Sequence, residues 1–188
     1  MTNYALISVW NKEGLVEFAK ELVAKYNFKI VSTSSTAKYL CENHIECIKV
    51  EDITEFKEIL NGKVKTLHPK IHASLLADPK QIEDLTQLNE LNIEPFQMAV
   101  VNLYPFEAIS KQTDDIDELV QNIDIGGVAI IRAAAKNFKN VTCICDINDY
   151  DNVLEDLKNN NGQNSYKLNE KLALKAFYNT AKYDSIIN

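Results

Sequence analysis

Short apolar runs alternate with segments of helical periodicity from the N-terminus onward, and that rhythm limits the fold more than any other feature. YALISV (4–9) is a strand-length apolar run. Beyond it Leu15, Val16, Phe18, Ala19, Leu22 and Val23 recur at helical spacing, which predicts an amphipathic helix of about 14 residues. FKIVST (28–33) reads as a second strand and IECIKV (45–50) as a third. Between them STAKYLCEN (35–43) opens a second helix behind several hydroxyl side chains. A β-α-β-α-β order implies parallel strands joined by right-handed crossovers.

NGKVKTLHPKIHASLLADPK (61–80) breaks the pattern: it is polar, basic, interrupted by proline and too long for a plain connector. Ile82, Leu85, Leu88 and Leu91 then step every three residues through another helix. MAVVNLY (98–104) is a buried strand ended by Pro105. IDELVQNI (116–123) is helical, IDIGG (123–127) interrupts, VAIIRAAAKN (128–137) resumes as a helix and VTCICD (141–146) is the last strand. From about Asn148 the chain reads as two helices separated by the turn NNNGQN (159–164). The expected architecture is one α/β domain over residues 1–188, a three-layer sandwich around a five-stranded, mostly parallel sheet. In such sheets ligands bind beyond the carboxyl ends of the strands.

Composition narrows the class. A chain of 188 residues buries a core without needing disulfides or metals. Its 27 acidic against 20 basic residues give a net charge of −7, which argues against a nucleic-acid partner. No apolar run approaches the roughly 20 residues of a spanning helix, and the N-terminus lacks a signal-peptide layout, so no membrane partner is expected. The four cysteines form no CxxC pair, and Cys143 and Cys145 alternate within an apolar run as small hydrophobes on one strand face. The reducing cytoplasm is the simplest address.

The polar oddities fall just after the strands. Ser8, Trp10, Asn11 and Lys12 follow the first; Ser32 to Thr36 follow the second. Hydroxyls and free N–H groups at a helix start can seat an anion, while the plainer reading has Ser34 or Ser35 only capping the helix. Residues 61–72 hold Lys63, Lys65, His68, Lys70 and His72 without a carboxylate, which suits an anionic small molecule or, equally, a solvated basic loop. A metal on His68 and His72 is disfavoured by Pro69 between them and by the missing third ligand. Asn102 and Tyr104 lie two apart in NLYPF, and a tyrosine there is commonly core with a hydrogen-bonded tip. IDIGGVAIIRAAAKN joins a carboxylate, a Gly-Gly turn and a helix with Arg132 and Lys136 at i,i+4.

LISVWNKEGLVEFA, STSSTAKYL, NGKVKTLHPKIHASLL, VVNLYPF, NIDIGGVAIIRAAAKN and LALKAFYNTAKYD, in that order across nearly the whole chain, resemble the N-terminal inosinate (IMP) cyclohydrolase domain of the PurH family of bifunctional purine biosynthesis proteins. The resemblance implies a methylglyoxal-synthase-like fold and a homodimer. It implies ring closure of the formamido-imidazole-carboxamide ribonucleotide FAICAR to IMP with loss of water, without metal or organic cofactor. By motif position Ser8, Lys12, Thr33, Ser34, Ser35, Thr36, Lys63, Lys65 and Thr66 would surround the nucleotide, chiefly its phosphate. Asn102, Tyr104 and the turn Asp124, Ile125, Gly126, Gly127 would border the base. The implied catalytic set is Lys65, Tyr104, Asp124 and Lys136. Family members usually continue into a transformylase domain that uses 10-formyltetrahydrofolate, expected to lie outside these 188 residues.

The chain departs from the family pattern at three places. SVWNKEG stands where SxSDKxG is usual, Ser34-Ser35 replaces a Gly-Gly pair, and Lys63 replaces a frequent arginine, losing its bidentate fork. Two other classes share the sheet and the phosphate loop: a regulatory module sensing a phosphorylated effector, and methylglyoxal synthase acting on dihydroxyacetone phosphate. KTLHPK, NLYPF and AAAKN together favour the cyclohydrolase.

Overall fold

A computed structural model describes residues 2–188. The rhythm read at the N-terminus is realised as β1 (Asn3–Val9), α1 (Leu15–Tyr26), β2 (Phe28–Ser32), α2 (Ser34–Glu42) and β3 (Cys47–Lys49). There follow α3 (Val50–Thr54), α4 (Pro69–Leu76), α5 (Ile82–Glu90), β4 (Met98–Asn102), α6 (Phe106–Ser110) and α7 (Ile116–Gln121). The chain ends in α8 (Gly126–Lys136), β5 (Thr142–Ile144), α9 (Tyr150–Asn159) and α10 (Tyr166–Ile187). The five strands form one sheet in the order β3-β2-β1-β4-β5, parallel throughout rather than mostly so.

The strands are apolar on both faces because helices cover both. On β1 the alternation sends Ala5, Ile7 and Val9 to one core with Phe18, Leu22, Leu40 and Val153, and Leu6 to the other with Ile71, Leu75, Ile131 and Ala176. Met98 and Val100 of β4 join the first core, Ala99 and Val101 the second. Cys143 and Cys145 lie together in the second core as free thiols, as their alternation predicts.

Three local differences from the sequence reading have physical causes. The proline-interrupted stretch contains α4: Pro69 sits in its first turn, where a missing N–H costs nothing, and His68 caps it by accepting from the Lys70 N–H at 3.2 Å. Strand β4 stops at Asn102, so Tyr104 lies beyond the sheet edge and is 44% exposed rather than closing a buried strand. In α5 only Leu88 is buried, because a step of three residues drifts around a helix of 3.6 residues per turn.

Strand order reverses at β1. The chain winds outward through β2 and β3, then returns to the other flank through β4 and β5, opening a crevice beyond the carboxyl ends of β1 and β4. Asn102 ties the two ends together. Its Oδ1 accepts from the N–H groups of Trp10 (2.7 Å) and Asn11 (2.9 Å), and its Nδ2 donates to the Asn11 carbonyl (2.9 Å).

Phe18, 1% exposed, stacks on Tyr150 with ring centroids 4.3 Å apart and joins α1 to α9. Phe18→Ala should lower the unfolding free energy by about 3–5 kcal/mol in urea titrations followed by far-UV circular dichroism.

Candidate active site

Helix α2 begins directly after β2 with no side chain capping it. Thr33 occupies the N-cap position, but its Oγ1 pairs with Ser8 Oγ at 3.0 Å. Neither Ser34 nor Ser35 serves as the cap: Ser34 Oγ donates instead to Glu58 Oε2 at 2.6 Å, and Ser35 is exposed. The first-turn N–H groups and the positive end of the helix dipole therefore face the crevice, beside the hydroxyls of Ser8, Thr33 and Ser34. Thr36, also expected at the ligand, is buried and holds Val9, accepting from its N–H and donating to its carbonyl. Lys12 Nζ donates to the carbonyls of Val9 and Trp10 at 3.3 Å each, which keeps its charge at the β1 end.

Lys65 reaches this seat from the segment before α4, with Nζ 3.7 Å from Glu58 Oε2. The charge of the same ammonium is the smallest of the influences on Asp124, which stands in a second group of residues. In that group the Asp124 carboxylate accepts from the Gly127 N–H at 2.7 Å and from the backbone N–H of Tyr104. Burial is the largest influence on Asp124 and raises its pKa above the usual aspartate value, against the lowering effect of the two N–H groups and of Lys65. The Tyr183 hydroxyl of α10 accepts from the Asp124 N–H at 2.8 Å and donates to the Asn122 carbonyl at 3.3 Å, which fixes the turn.

The glycines at the start of α8 are required by space. A Cβ on Gly127 would lie 2.6 Å from Asp124 Oδ2 and 2.8 Å from Leu103 Cδ2. One on Gly126 would lie 3.0 Å from the buried Thr66 hydroxyl. Thr66, Gly126, Gly127, Asp124 and the Tyr104 backbone thus meet at one point, with the Ile125 side chain exposed beside them.

Two of the expected residues stand apart. Lys63 is exposed and makes no ion pair among the described residues. Lys136 ends α8, ten residues after Gly126, and at 1.5 Å rise per residue the two are about 15 Å apart along the axis. It does not join Lys65, Tyr104 and Asp124 of its own chain. Sequence reasoning missed Glu58, Glu55 and Tyr183. The two glutamates precede the basic run and supply the carboxylates it lacks, Glu55 pairing with Lys70 at 2.9 Å. Tyr183 sat in the matched segment LALKAFYNTAKYD, but nothing local ties it to residue 124.

A doubly wound α/β domain with an uncapped, hydroxyl-lined helix start and a half-buried carboxylate at its topological switch point is the class these features define. The model of the MGS-like domain family matches residues 14–129, and that of the AICARFT/IMPCHase bienzyme matches residues 134–188. The chain belongs to the MGS-like domain family. It is 53% identical over 188 residues to a bifunctional purine biosynthesis protein PurH of Persephonella marina and 50% identical to that of Caldicellulosiruptor saccharolyticus, in both cases over 100% of this chain and 36% of the relative. The Dictyostelium discoideum protein of the same name is 47% identical over 98% of this chain and 35% of its own length. The chain thus spans little more than a third of these curated relatives, in their N-terminal part. The crystal structure of ForH superposes with a TM-score of 0.86 at 27% identity, covering 100% of this chain and 97% of that one. No helix among the described residues is long and apolar enough to cross a membrane.

Gly127→Ala should displace Asp124 and press on Leu103, which packs against the second core, without removing any core side chain. The expected outcome is an unchanged far-UV spectrum, with catalytic activity reduced at least as far as by Asp124→Asn.

Proposed function

We propose that this chain closes the ring of FAICAR to give IMP and water, as an IMP cyclohydrolase, in the cytoplasm and without metal or organic cofactor. The observation that carries the reading is the meeting at the switch point of a hydroxyl-lined helix start, faced by Lys65, with the half-buried carboxylate of Asp124, whose charged form the same lysine favours. The family matches, and the purine-biosynthesis role in the names of the relatives, support it. Formyl transfer from 10-formyltetrahydrofolate is not assigned to these residues.

The chemistry fits the groups. The nucleotide phosphate sits at the start of α2 among Ser8, Thr33 and Ser34. The substrate's carboxamide nitrogen attacks its own formyl carbon, so the reaction needs folding of tethered groups more than capture of a second reactant. Asp124 accepts the N–H proton as the C–N bond forms, and its raised pKa suits a base. The formyl oxygen becomes an oxyanion held by the Lys65 ammonium or the Tyr104 hydroxyl. The oxyanion takes the proton held by Asp124 to give the carbinolamine; its C–O bond then breaks as Lys136 protonates the leaving oxygen and the former formamido nitrogen gives up its proton, so that water departs and the ring C=N forms.

We place Lys136 in this scheme through a homodimer. Its position at the far end of α8 leaves it no route to its own Asp124, and a two-fold pairing that sets this end against the other protomer's crevice brings it there. Arg132, one turn before Lys136, lies over the Phe177 ring, and α10 carries Leu174 (69% exposed) and Tyr178 (70% exposed) on the same side of the molecule. Such an apolar patch flanked by cations suits an interface between copies.

Purified protein should convert FAICAR to IMP, followed by ultraviolet absorbance, and chelator should leave the rate unchanged. Loss on chelation with recovery on adding a divalent ion would overturn the cofactor-free claim, and no turnover by folded protein would favour a regulatory module. Asp124→Asn should lower kcat by about 10²–10⁴-fold. Because the base form is the active one, kcat/KM should rise with pH through the Asp124 pKa, with the acid limb centred above the ordinary value of 3.8.

Mixing subunits tests the shared site. Lys136→Met and Asp124→Asn homodimers should each be impaired. Equal mixing after dissociation should restore about a quarter of wild-type activity, since half of the dimers are mixed and each has one intact site. Absence of any recovery in confirmed heterodimers would remove Lys136 from the partner's site.

A further inference from the structure

The anion seat is already occupied by an anion of the chain itself. Glu58 Oε2 accepts from Ser34 Oγ at 2.6 Å, at the uncapped start of α2, and the same oxygen lies 3.7 Å from Lys65 Nζ. A carboxylate thus accepts from a hydroxyl in the first turn of α2 and is faced by a lysine: a hydroxyl and a cation of the kind that recognise a phosphate monoester. Glu58 lines one cavity of about 330 Å³ together with Thr33, Ser34 and Lys65.

The segment that delivers Glu58 is built to move. Residues 55–66 contain no helix or named strand and close on themselves by one isolated bridge, Ile59 to Val64, with N···O distances of 3.2 and 3.4 Å, and by two turn bonds, from the Gly62 N–H to the Ile59 carbonyl (3.1 Å) and from the Lys63 N–H to the Leu60 carbonyl (3.3 Å). Leu60, Asn61 and Gly62 are consecutive left-handed residues with φ of 54°, 55° and 81°. For the branched Leu60, which is 66% exposed, that conformation is strained and no packing compensates it. Few buried contacts and stored strain place this loop at the low-stability end of the molecule.

We propose that Glu58 is an internal gate of the phosphate seat: in the free chain it stands in for the ligand's phosphate, and substrate phosphate binds by displacing it. A phosphate dianion and the Glu58 carboxylate cannot share Ser34 Oγ–H and Lys65 Nζ, because like charges at that separation repel strongly. Binding therefore proceeds through the open loop, and the apparent affinity is the intrinsic affinity reduced by the fraction of time the gate stands open. Ser34 gives this chain the anchor that a glycine at that position lacks. The gate acts on any ligand carrying a terminal phosphate and is indifferent to the base, so it sets affinity for the phosphorylated class while Asp124 and its neighbours do the chemistry.

This inference rests on the nucleotide phosphate occupying the start of α2, and the test separates the two. Glu58→Gln keeps the shape and removes the charge; Glu58→Asp keeps the charge and shortens the reach. Dissociation constants for IMP, inosine and inorganic phosphate are measured by calorimetry on wild type and both variants, with thermal unfolding confirming that each is folded. The expected result is IMP and inorganic phosphate bound about tenfold more tightly by Glu58→Gln, an intermediate gain for Glu58→Asp, and no change for inosine. In turnover the gain should fall on KM for FAICAR rather than on kcat. Equal or weaker binding of phosphate and IMP by folded Glu58→Gln overturns the gate, including when FAICAR is still turned over. A tighter phosphate site in a protein that does not turn over FAICAR upholds the gate and overturns the cyclohydrolase reading instead.

Discussion

The site depends on one constraint, the reversal of strand order at β1. A parallel sheet wound outward on one flank and then on the other must leave its first and fourth strands with crossovers departing in opposite directions. The polar loops that follow β1, β2 and β4 open into the gap this creates, and the amide of Asn102 laces two of them together. Ser8, Thr33 and Ser34 collect on one side of the crevice. Tyr104 and the turn before α8 collect on the other.

Within the crevice, burial and charge act against each other at Asp124. Desolvation favours its neutral form, whereas two backbone N–H groups and Lys65 favour the carboxylate. The glycines at 126 and 127 let the helix start approach closely enough for both effects to operate, and Tyr183 from the last helix holds the turn in register. A carboxylate poised in this way does not require an unusual residue, only an ordinary aspartate in a crowded place. Lys65 pairs with Glu58 at 3.7 Å, and its charge also favours the Asp124 carboxylate.

The alternating cores show how far one-dimensional patterning reaches. The segregation of Ala5, Ile7 and Val9 from Leu6, and the pairing of Cys143 with Cys145, follow from a side-chain period of two and were legible in the residues. Strand β4 was legible as an apolar run, but it ends at Asn102 rather than at Pro105, and the Gly-Gly pair that reads as an interruption lies within the first turn of α8. The helix at Pro69 was hidden because a proline in a polar, basic stretch reads as an interruption, although in a first helical turn it is compatible with the helix it opens. The separation of Lys136 from the other proposed catalytic residues was likewise invisible in motif order, where AAAKN and IDIGG are neighbours.

Residue order and type determined the class of fold, the places where strands give way to polar loops, and the family resemblance carried by KTLHPK, NLYPF and IDIGG. These are properties of local periodicity and of short spacings, which the chain states directly. Tertiary structure alone decided which of those loops meet and what each polar group does there. It turned Asn102 and Thr36 into ties between strand ends, set Tyr183 against Asp124 across 59 positions of sequence, brought Glu58 onto Ser34, and left Lys136 at the far end of its helix. Such partnerships depend on strand order and helix length, which are settled only when the whole chain packs.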